Sequence, residues 1–380
     1  MAFSATIFEL KTGKIVIRDI PIIGNPEFNR QINQEGSWRI TVLVGDISVP
    51  KTETLRAIFA PWRFGCAIAW NDQYIAQAGP ITTSQFNDAD YRIQVSGGGI
   101  WSLLNRRVAI NPSYSLAPTT ATSLLNLATG DLVYGPTSLL TIAKSLVSDS
   151  CSRAARFNLP IDYPTSTSGT ATRTYPVYDL APVGQRLKEL TQVESGPDID
   201  FAPYFDPSNP GYIRFQMRIG APTLTQSGVP LVWDYGTGLR SVAIDSDGSA
   251  MVSGVFARGN GTERASLIAY DEDLTLTNAG WPATELVVSF SSVTDGATLQ
   301  GHASGAKALY RTPVELWSAI VRADQLPQLG TYQPGTLATF NMQGHAWVPD
   351  GGYQQRLLGF SQGPATNEVR LILQAIEGAI

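Results

Sequence analysis

Cysteine and histidine are almost missing from this chain, with two of each in 380 residues. Cys66 lies in an apolar, strand-like run and Cys151 in a polar, helical one, so the pair reads as buried or incidental thiols rather than a disulfide framework. His302 and His345 have no second His, Cys or carboxylate at ligand spacing, which argues against a zinc site. Long apolar runs are missing too. None approaches the ~18–20 residues that a membrane-spanning helix requires. The chain opens directly on strand-like sequence, Ala5-Thr6-Ile7-Phe8, with no charged segment leading into an apolar core, so export by a signal peptide is not expected. Nor is there an excess of base: 27 Lys and Arg against 32 Asp and Glu leave a formal charge of −5, the wrong sign for a general nucleic-acid-binding face. Two local basic clusters remain, Arg106-Arg107 and Arg153 with Arg156, and both read as solvated helix faces.

What is abundant is turn chemistry. The 35 Gly and 24 Pro are spread along the chain, which suits many short strands joined by tight turns better than long helices. With 43% hydrophobic and 16% charged residues the chain has the balance of a folded protein, and its length allows two to four domains. FSATIFEL and KIVIRDIPI flank Thr12-Gly13 as a hairpin. Gly24-Asn25-Pro26 and the polar run from Asn29 to Glu35 read as a loop. GSWRITVLVGDIS then alternates Trp38, Ile40, Val42 and Val44 against Arg39, Thr41 and Leu43, the period of a half-buried strand. Two apolar runs surround Asn71-Asp72, the second closed by Gly79-Pro80, and Ile93 and Val95 share a face of the next strand. Between them, Lys51 to Phe59 reads as a short helix stopped before Pro61.

From Trp101 the period becomes helical. Ile100, Leu103, Leu104 and Val108 fall on one face, and TTATSLLNLATGD and PTSLLTIAKSLVSDSCSRAAR continue the pattern. Leu159 to Thr174 is expected as an exposed loop. DLAPVGQRLKELTQVESG reads as a helix capped by Asp179, and IDFAPYF with YIRFQMRIG as a hairpin. The second half returns to strands: LVWDYG, LRSVAIDSDGSAMVSGVFARGNG and RASLIAYDEDLTLT, with turns at Asp247-Gly248 and Asn260-Gly261. A small-residue helix, ATLQGHASGAKALYR, precedes the strand PVELWSAIVRA. A closing meander follows, with turns at Pro334-Gly335 and Gly363-Pro364. The layout of the first part is repeated without residue-level identity between the halves.

Chemistry-bearing patterns are sparse. Gly97-Gly98-Gly99 precedes a helix but lacks the Gly-Lys-Ser/Thr ending and the dinucleotide spacing, and a turn needing positive φ explains it. His302 and Ser304 sit two residues apart in a helix, on different faces. Asp198 and Asp200 share a strand face, as do Asp245 and Asp247, while Asp271, Glu272 and Asp273 cluster at a turn; a glycosidase needs two carboxylates across a cleft. Asp245-Ser246-Asp247-Gly248 starts like a calcium loop but lacks the later ligands. Trp62, Trp70, Trp233, Trp281, Trp317 and Trp347 suit sugar stacking, yet their apolar settings place most of them in a core. No catalytic, cofactor-binding or metal-binding residue is assigned.

The strand pair GSWRITVLVGD and AIAWNDQYIAQAGPI, followed by YRIQVSGGGIWSLLNRR, resembles the hub or minor tail proteins of long non-contractile tailed phages, and behind them the wider baseplate-hub family. The helix DLAPVGQRLKELTQ leading into IDFAPYF and YIRFQMRIG, and the ending LPQLGTYQPGTLATFNMQG, YQQRLLGFSQG and NEVRLILQ, extend the resemblance over most of the chain. The helical stretch Thr119 to Arg156 departs from it, and no separate lysozyme or peptidase segment is expected.

The resemblance implies a mainly β protein with α+β insertions and two tube-like small barrel or sandwich domains. Residues 1–100 form the first, 101–230 a helical and α+β insertion, 231–330 an α+β part contributing strands to the second, and 331–380 the meander that completes it. It further implies a non-enzymatic structural component of the virion, at the phage tail tip, made in the host cytoplasm. There a homotrimer would adapt a hexameric tail tube to tip, fibre or tape-measure proteins around a channel through which DNA slides without specific binding. The alternative from another class is a β-rich polysaccharide-active enzyme or carbohydrate-binding module; a third, a secreted adhesin, is disfavoured by the missing leader.

Overall fold

The computed structural model describes residues 2–49, 54–113, 130–193, 195–225, 228, 230–291, 293–311 and 314–375. Strands β1 (Phe3–Glu9) and β2 (Ile15–Pro21) form the expected hairpin, with Gly13 at φ +80° in its turn. The polar stretch expected as a loop contains a strand instead, β3 (Glu27–Gln31), and β4 (Ser37–Leu43) follows. On β4, Trp38, Ile40 and Val42 are buried and Arg39 is exposed, while Val44 falls just beyond the strand in a short turn. Helix α1 (Leu55–Ile58) is capped by Thr54, whose hydroxyl accepts from the Ala57 N–H at 3.2 Å; Lys51 to Glu53 lie outside the described residues. β5 (Phe64–Trp70) is buried along its whole length, and Asn71 and Asp72 both take left-handed backbone (φ 51° and 57°) before β6 (Tyr74–Asn87).

Gly79-Pro80 does not end β6. The strand runs on and changes partner there: Pro80 pairs with Gly65 of β5, and Ile81 pairs with Gly97 of β7 (Arg92–Gly98). A proline without an N–H is tolerated at such an irregularity. Gly97, Gly98 and Gly99 are likewise not a positive-φ turn, since none of them has positive φ. They serve close approach: a Cβ on Gly97 would stand 1.9 Å from the Pro80 carbonyl oxygen and 2.5 Å from the Trp38 ring. Helix α2 (Trp101–Leu104) is a single turn, shorter than its pattern. The backbone beyond it is claimed by extended pairing, with Val183 N–H on the Arg107 carbonyl at 2.7 Å and Ala109 N–H on the Ala181 carbonyl at 2.9 Å.

The middle of the chain carries β8 (Leu132–Thr137), α3 (Leu139–Ser152), β9 (Ile161–Asp162), β10 (Ala171–Tyr175), α4 (Val183–Thr191), β11 (Ile199–Phe205) and β12 (Ile213–Ile219). Ser138 caps α3, accepting from Thr141 N–H at 3.1 Å. Most of the helix expected over TTATSLLNLATGD, residues 119–129, lies outside the described residues. The segment expected as an exposed loop holds β9 and β10, and Ile161 is buried because it enters the core. Asp179 does not cap α4; Pro182 occupies that position, and Asp179 pairs with Arg186 one turn into the helix at 2.5 Å. Ile142 and Leu146 of α3, Leu187 and Leu190 of α4, and Phe201 and Phe215 of the β11–β12 hairpin form one buried cluster that includes Phe8 and Trp101.

The remaining strands are β13 (Leu231–Asp234), β14 (Leu239–Asp247), β15 (Gly254–Arg258), β16 (Ile268–Glu272), β17 (Glu285–Ser289), β18 (Val314–Arg322), β19 (Leu337–Met342), β20 (Gly351–Gln362) and β21 (Glu368–Ala375), with α5 (Leu274–Asn278) and α6 (Gly296–Tyr310). Residues 243–317 form a unit of their own, and the rest of the chain forms the other. In the smaller unit β15 is flanked by antiparallel β16 and parallel β17, and α6 packs Leu299 and Ala303 against Ala257 and Ala269. Leu274 to Thr277, expected to extend a strand, is helical, because the Asp273 carboxylate accepts from Thr275 N–H at 2.9 Å and starts a helical turn.

In the larger unit, ladders run β2-β1-β5-β6-β7-β4, and the Ile22–Val42 bridge returns β2's end to β4, closing six strands on themselves. A second six run β13-β19-β20-β21-β18-β14; the two ends of that order are consecutive in the chain and meet at the Tyr235–Leu239 bridge. Numbered within each set by chain position, the two have the same cyclic strand order. Direction is not kept throughout: β1 pairs antiparallel with both β5 and β2, whereas β13 runs parallel to β19 and the Tyr235–Leu239 bridge is parallel. β3 belongs to both, pairing with β4 on one side and β20 on the other.

Candidate functional site

The shared strand β3 organises the most heavily charged part of the interior. Arg30 pairs with Phe360 across the β3–β20 ladder, where a Cβ on the neighbouring Gly359 would stand 2.5 Å from the Arg30 carbonyl oxygen, so only glycine admits this approach. The Arg30 side chain is 3% exposed and donates from Nε and Nη2 to the two oxygens of Asp200 on β11 at 2.9 and 2.6 Å. Arg218 of β12 donates to the same carboxylate at 2.9 Å and to the Pro334 carbonyl at 3.0 Å. Burial disfavours the charged form of Asp200, but the two guanidiniums outweigh it and hold the carboxyl below its ordinary value. Two residues earlier, Asp198 accepts from Leu224 N–H at 2.8 Å and from Arg356 of β20.

Asp198 and Asp200, the carboxylates that sequence places on one strand face, are therefore engaged by arginines from β3, from β20 and from the hairpin β11–β12. They act as a clamp between strands 170 residues apart, not as an acid and base facing a cleft. Asp247 accepts from Ser249 N–H at 2.8 Å, Asp271 from Lys307 at 2.9 Å, and Asp245 is exposed. Among the described residues no three His, Cys or acidic side chains converge as a metal site. His302 stacks on Phe290 with ring centroids 4.1 Å apart, and the His345 Nδ1 accepts from the N–H groups of Trp347 and Val348. Cys66 and Cys151 are both buried free thiols.

Trp70, Trp233 and Trp317 lie in cores, and Trp62 is half-buried beneath Arg106. Trp281 and Trp347 do not: they are 50% and 82% exposed, because both fall in irregular segments between strands rather than on a sheet face. The outer half of the β6–β7 hairpin is exposed as well. There Phe86 and Tyr91 place their rings 6.5 Å apart, and Phe86 lines a groove of about 700 Å³ with Leu55, Phe59, Pro61 and Ile93. Nothing in the sequence marks these surfaces, since a period-two pattern identifies a strand without saying which part of it leaves the sheet.

Neither a protein-family model nor a curated protein sequence matches the chain. Solved structures do. The 43 kDa tail protein of prophage MuSo2 from Shewanella oneidensis superposes with a TM-score of 0.57 at 12% identity, over 98% of each chain. The chain has the fold of a phage tail protein. A tail protein from Neisseria meningitidis MC58 gives 0.54 at 14% identity, over 100% of this chain and 98% of that one. At such identities the likeness to these tail proteins is one of fold alone, and the clamp residues are read from this chain.

Proposed function

We propose that this chain is a structural, non-enzymatic component of a phage tail, a homotrimeric hub at the tail tip. The observation that carries the reading is the repeated strand order. Each chain holds two six-stranded sets of like topology, residues 1–100 supplying one and residues 231–330 with 331–380 the other, so three copies offer six like sets around an axis. A sixfold tube and a threefold tip are matched by such a ring. The fold of the tail proteins from Shewanella oneidensis and Neisseria meningitidis supports the same assignment.

In this reading the tail tube or distal tail protein contacts one side, and tip, fibre or tape-measure proteins the other. The insertion 101–230 supplies none of the ring-forming strands. DNA passes through the lumen without specific contacts, in keeping with the net charge of −5. Native mass spectrometry of the chain, alone and with the neighbouring tail proteins, tests the proposal. A threefold mass, and three copies around the axis in a tail reconstruction, is the expected result; a monomer that stays monomeric beside its tail neighbours overturns it.

A further inference from the structure

The two six-stranded sets are joined within the chain by one added strand. β20 pairs with β19 from Gly351 to Arg356, and further along the same side it pairs with β3 from Gly359 to Ser361. β3 in turn pairs with β4, so the order β4-β3-β20 is the joint. By chain position the counterpart of β20 in the first set is β6, and there the corresponding stretch is open. β6 pairs with β5 as far as Pro80, and Trp62 N–H reaches the Ile81 carbonyl at 2.9 Å. From Thr82 to Asn87 it has β7 on one side and, among the described residues, no strand on the other. Thr83 to Asn87 are exposed. The groove of about 700 Å³ lies here, lined by Ser84 and Phe86 of β6 and by Leu55, Arg56 and Phe59. Arg56 is exposed, and no described carboxylate pairs with it.

The second set is open at the matching place. The counterpart of β4 is β18, and the strand beside it, away from β21, is β14. β14 therefore stands where β3 stands in the first set, but nothing follows it: it ends the strand order, and the Tyr235–Leu239 bridge engages only its first residue. From Arg240 to Asp247 its far edge meets no strand among the described residues. Asp245 and Asp247 are exposed on one face of it, and no described cation pairs with either. An open edge is completed by backbone hydrogen bonds to an added strand, with side-chain contacts fixing which strand is accepted. Here the acidic edge of β14 complements the Arg56 wall of the groove beside β6. Pairing one edge with a different one is a head-to-tail contact, which closes into a ring when the rotation between copies allows.

We propose that β14 of one copy adds to the outer half of β6 in the next, so that β18-β14-β6 continues between copies the joint that β4-β3-β20 makes within one. The pairing rests on the trimeric-hub reading and names its interface. Ser84→Cys and Ala243→Cys in one full-length chain, with Cys151→Ala, test it by treatment with a short bismaleimide after assembly beside the tail neighbours. Cross-linked dimers and trimers are expected from this chain. An equal mixture of the two single-site variants gives cross-linked dimers and no trimers, and neither variant alone gives any. Ser208→Cys, on the exposed turn between β11 and β12, gives none when it replaces Ser84→Cys. In sedimentation Arg56→Glu weakens association roughly tenfold, and adding Asp245→Lys restores it. A trimer by native mass that yields no cross-link and ignores Arg56→Glu overturns the pairing and leaves the hub reading standing. Dimers from Ser84→Cys alone also overturn it, since β6 would then meet β6. A chain that stays monomeric beside its tail neighbours overturns the hub reading, and the pairing with it.

Discussion

Asp200 and Arg30 meet through two parallel hydrogen bonds, at 2.9 and 2.6 Å, in a part of the interior where both side chains are almost wholly covered. Removing one partner leaves the other buried and unpaired, so Asp200→Ala is expected to cost about 3–5 kcal/mol in chemical denaturation. Arg30→Met combined with Asp200→Leu costs much less, since no lone charge is left behind at Arg30, although Arg218 retains only the Pro334 carbonyl. The pH dependence has a definite sign. The folded carboxyl titrates below its unfolded value of 3.8, so its contribution is complete above that pH and is lost as pH falls from there through the folded value. Urea titrations between about pH 6 and 2.5 should show the Asp200→Asn variant flattening this acid loss; an unchanged slope refutes the assignment.

The same contact explains what the sequence hides. Hairpins at Thr12-Gly13 and Asn71-Asp72, the alternation of β4 and the closing meander are legible because their causes are local: a turn residue and a period of two. β3 is not legible. Its residues look like loop because Arg30 is polar, and its partner in charge lies 170 positions later. The passage of β6 from β5 to β7 at Pro80 is hidden for a like reason, since proline ordinarily signals a strand's end. The repeated strand order also escapes the sequence, because packing constrains burial and direction while leaving residue identity free.

Gly97 gives the sharpest steric prediction. Gly97→Ala forces a methyl group onto the Pro80 carbonyl and the Trp38 ring, where neighbouring backbone cannot move without opening the β6–β7 ladder. A loss of about 1–3 kcal/mol or more is expected from overpacking of this kind. Gly45→Ala meets nothing within 4 Å and should stay within about 0.5 kcal/mol of the parent. Paired denaturation curves that fail to separate the two would contradict the close-approach account.

Phe86 and Tyr91 separate stability from assembly. Both are more than half exposed on the outer hairpin, so Phe86→Ser with Tyr91→Ser removes little that the single chain buries, and its unfolding midpoint should barely move. If the hairpin is covered when copies associate, sedimentation of the double variant shows weaker association at equal concentration. A large drop in chain stability with association intact would place these rings in the fold instead.

Cys66 provides a probe of the first six-stranded set. It is fully buried on β5, between Ile7 of β1 and Gly79 of β6 in the ladders, and burial pushes its thiol well above the ordinary cysteine value. The thiolate is the reactive form, so two barriers oppose modification: the reagent cannot reach the sulfur, and the sulfur holds its proton. In a Cys151→Ala background, labelling by a chromogenic disulfide should therefore be slow in the native state and complete in denaturant. Raising the pH from about 7 to 9 multiplies the rate for an exposed thiol, whose value lies near ~8.5. For Cys66 the native rate should instead follow the opening of the strands, rising with denaturant in step with unfolding. Rapid native labelling with an ordinary pH profile would mean that the ring of strands around Cys66 opens far more readily than its burial allows.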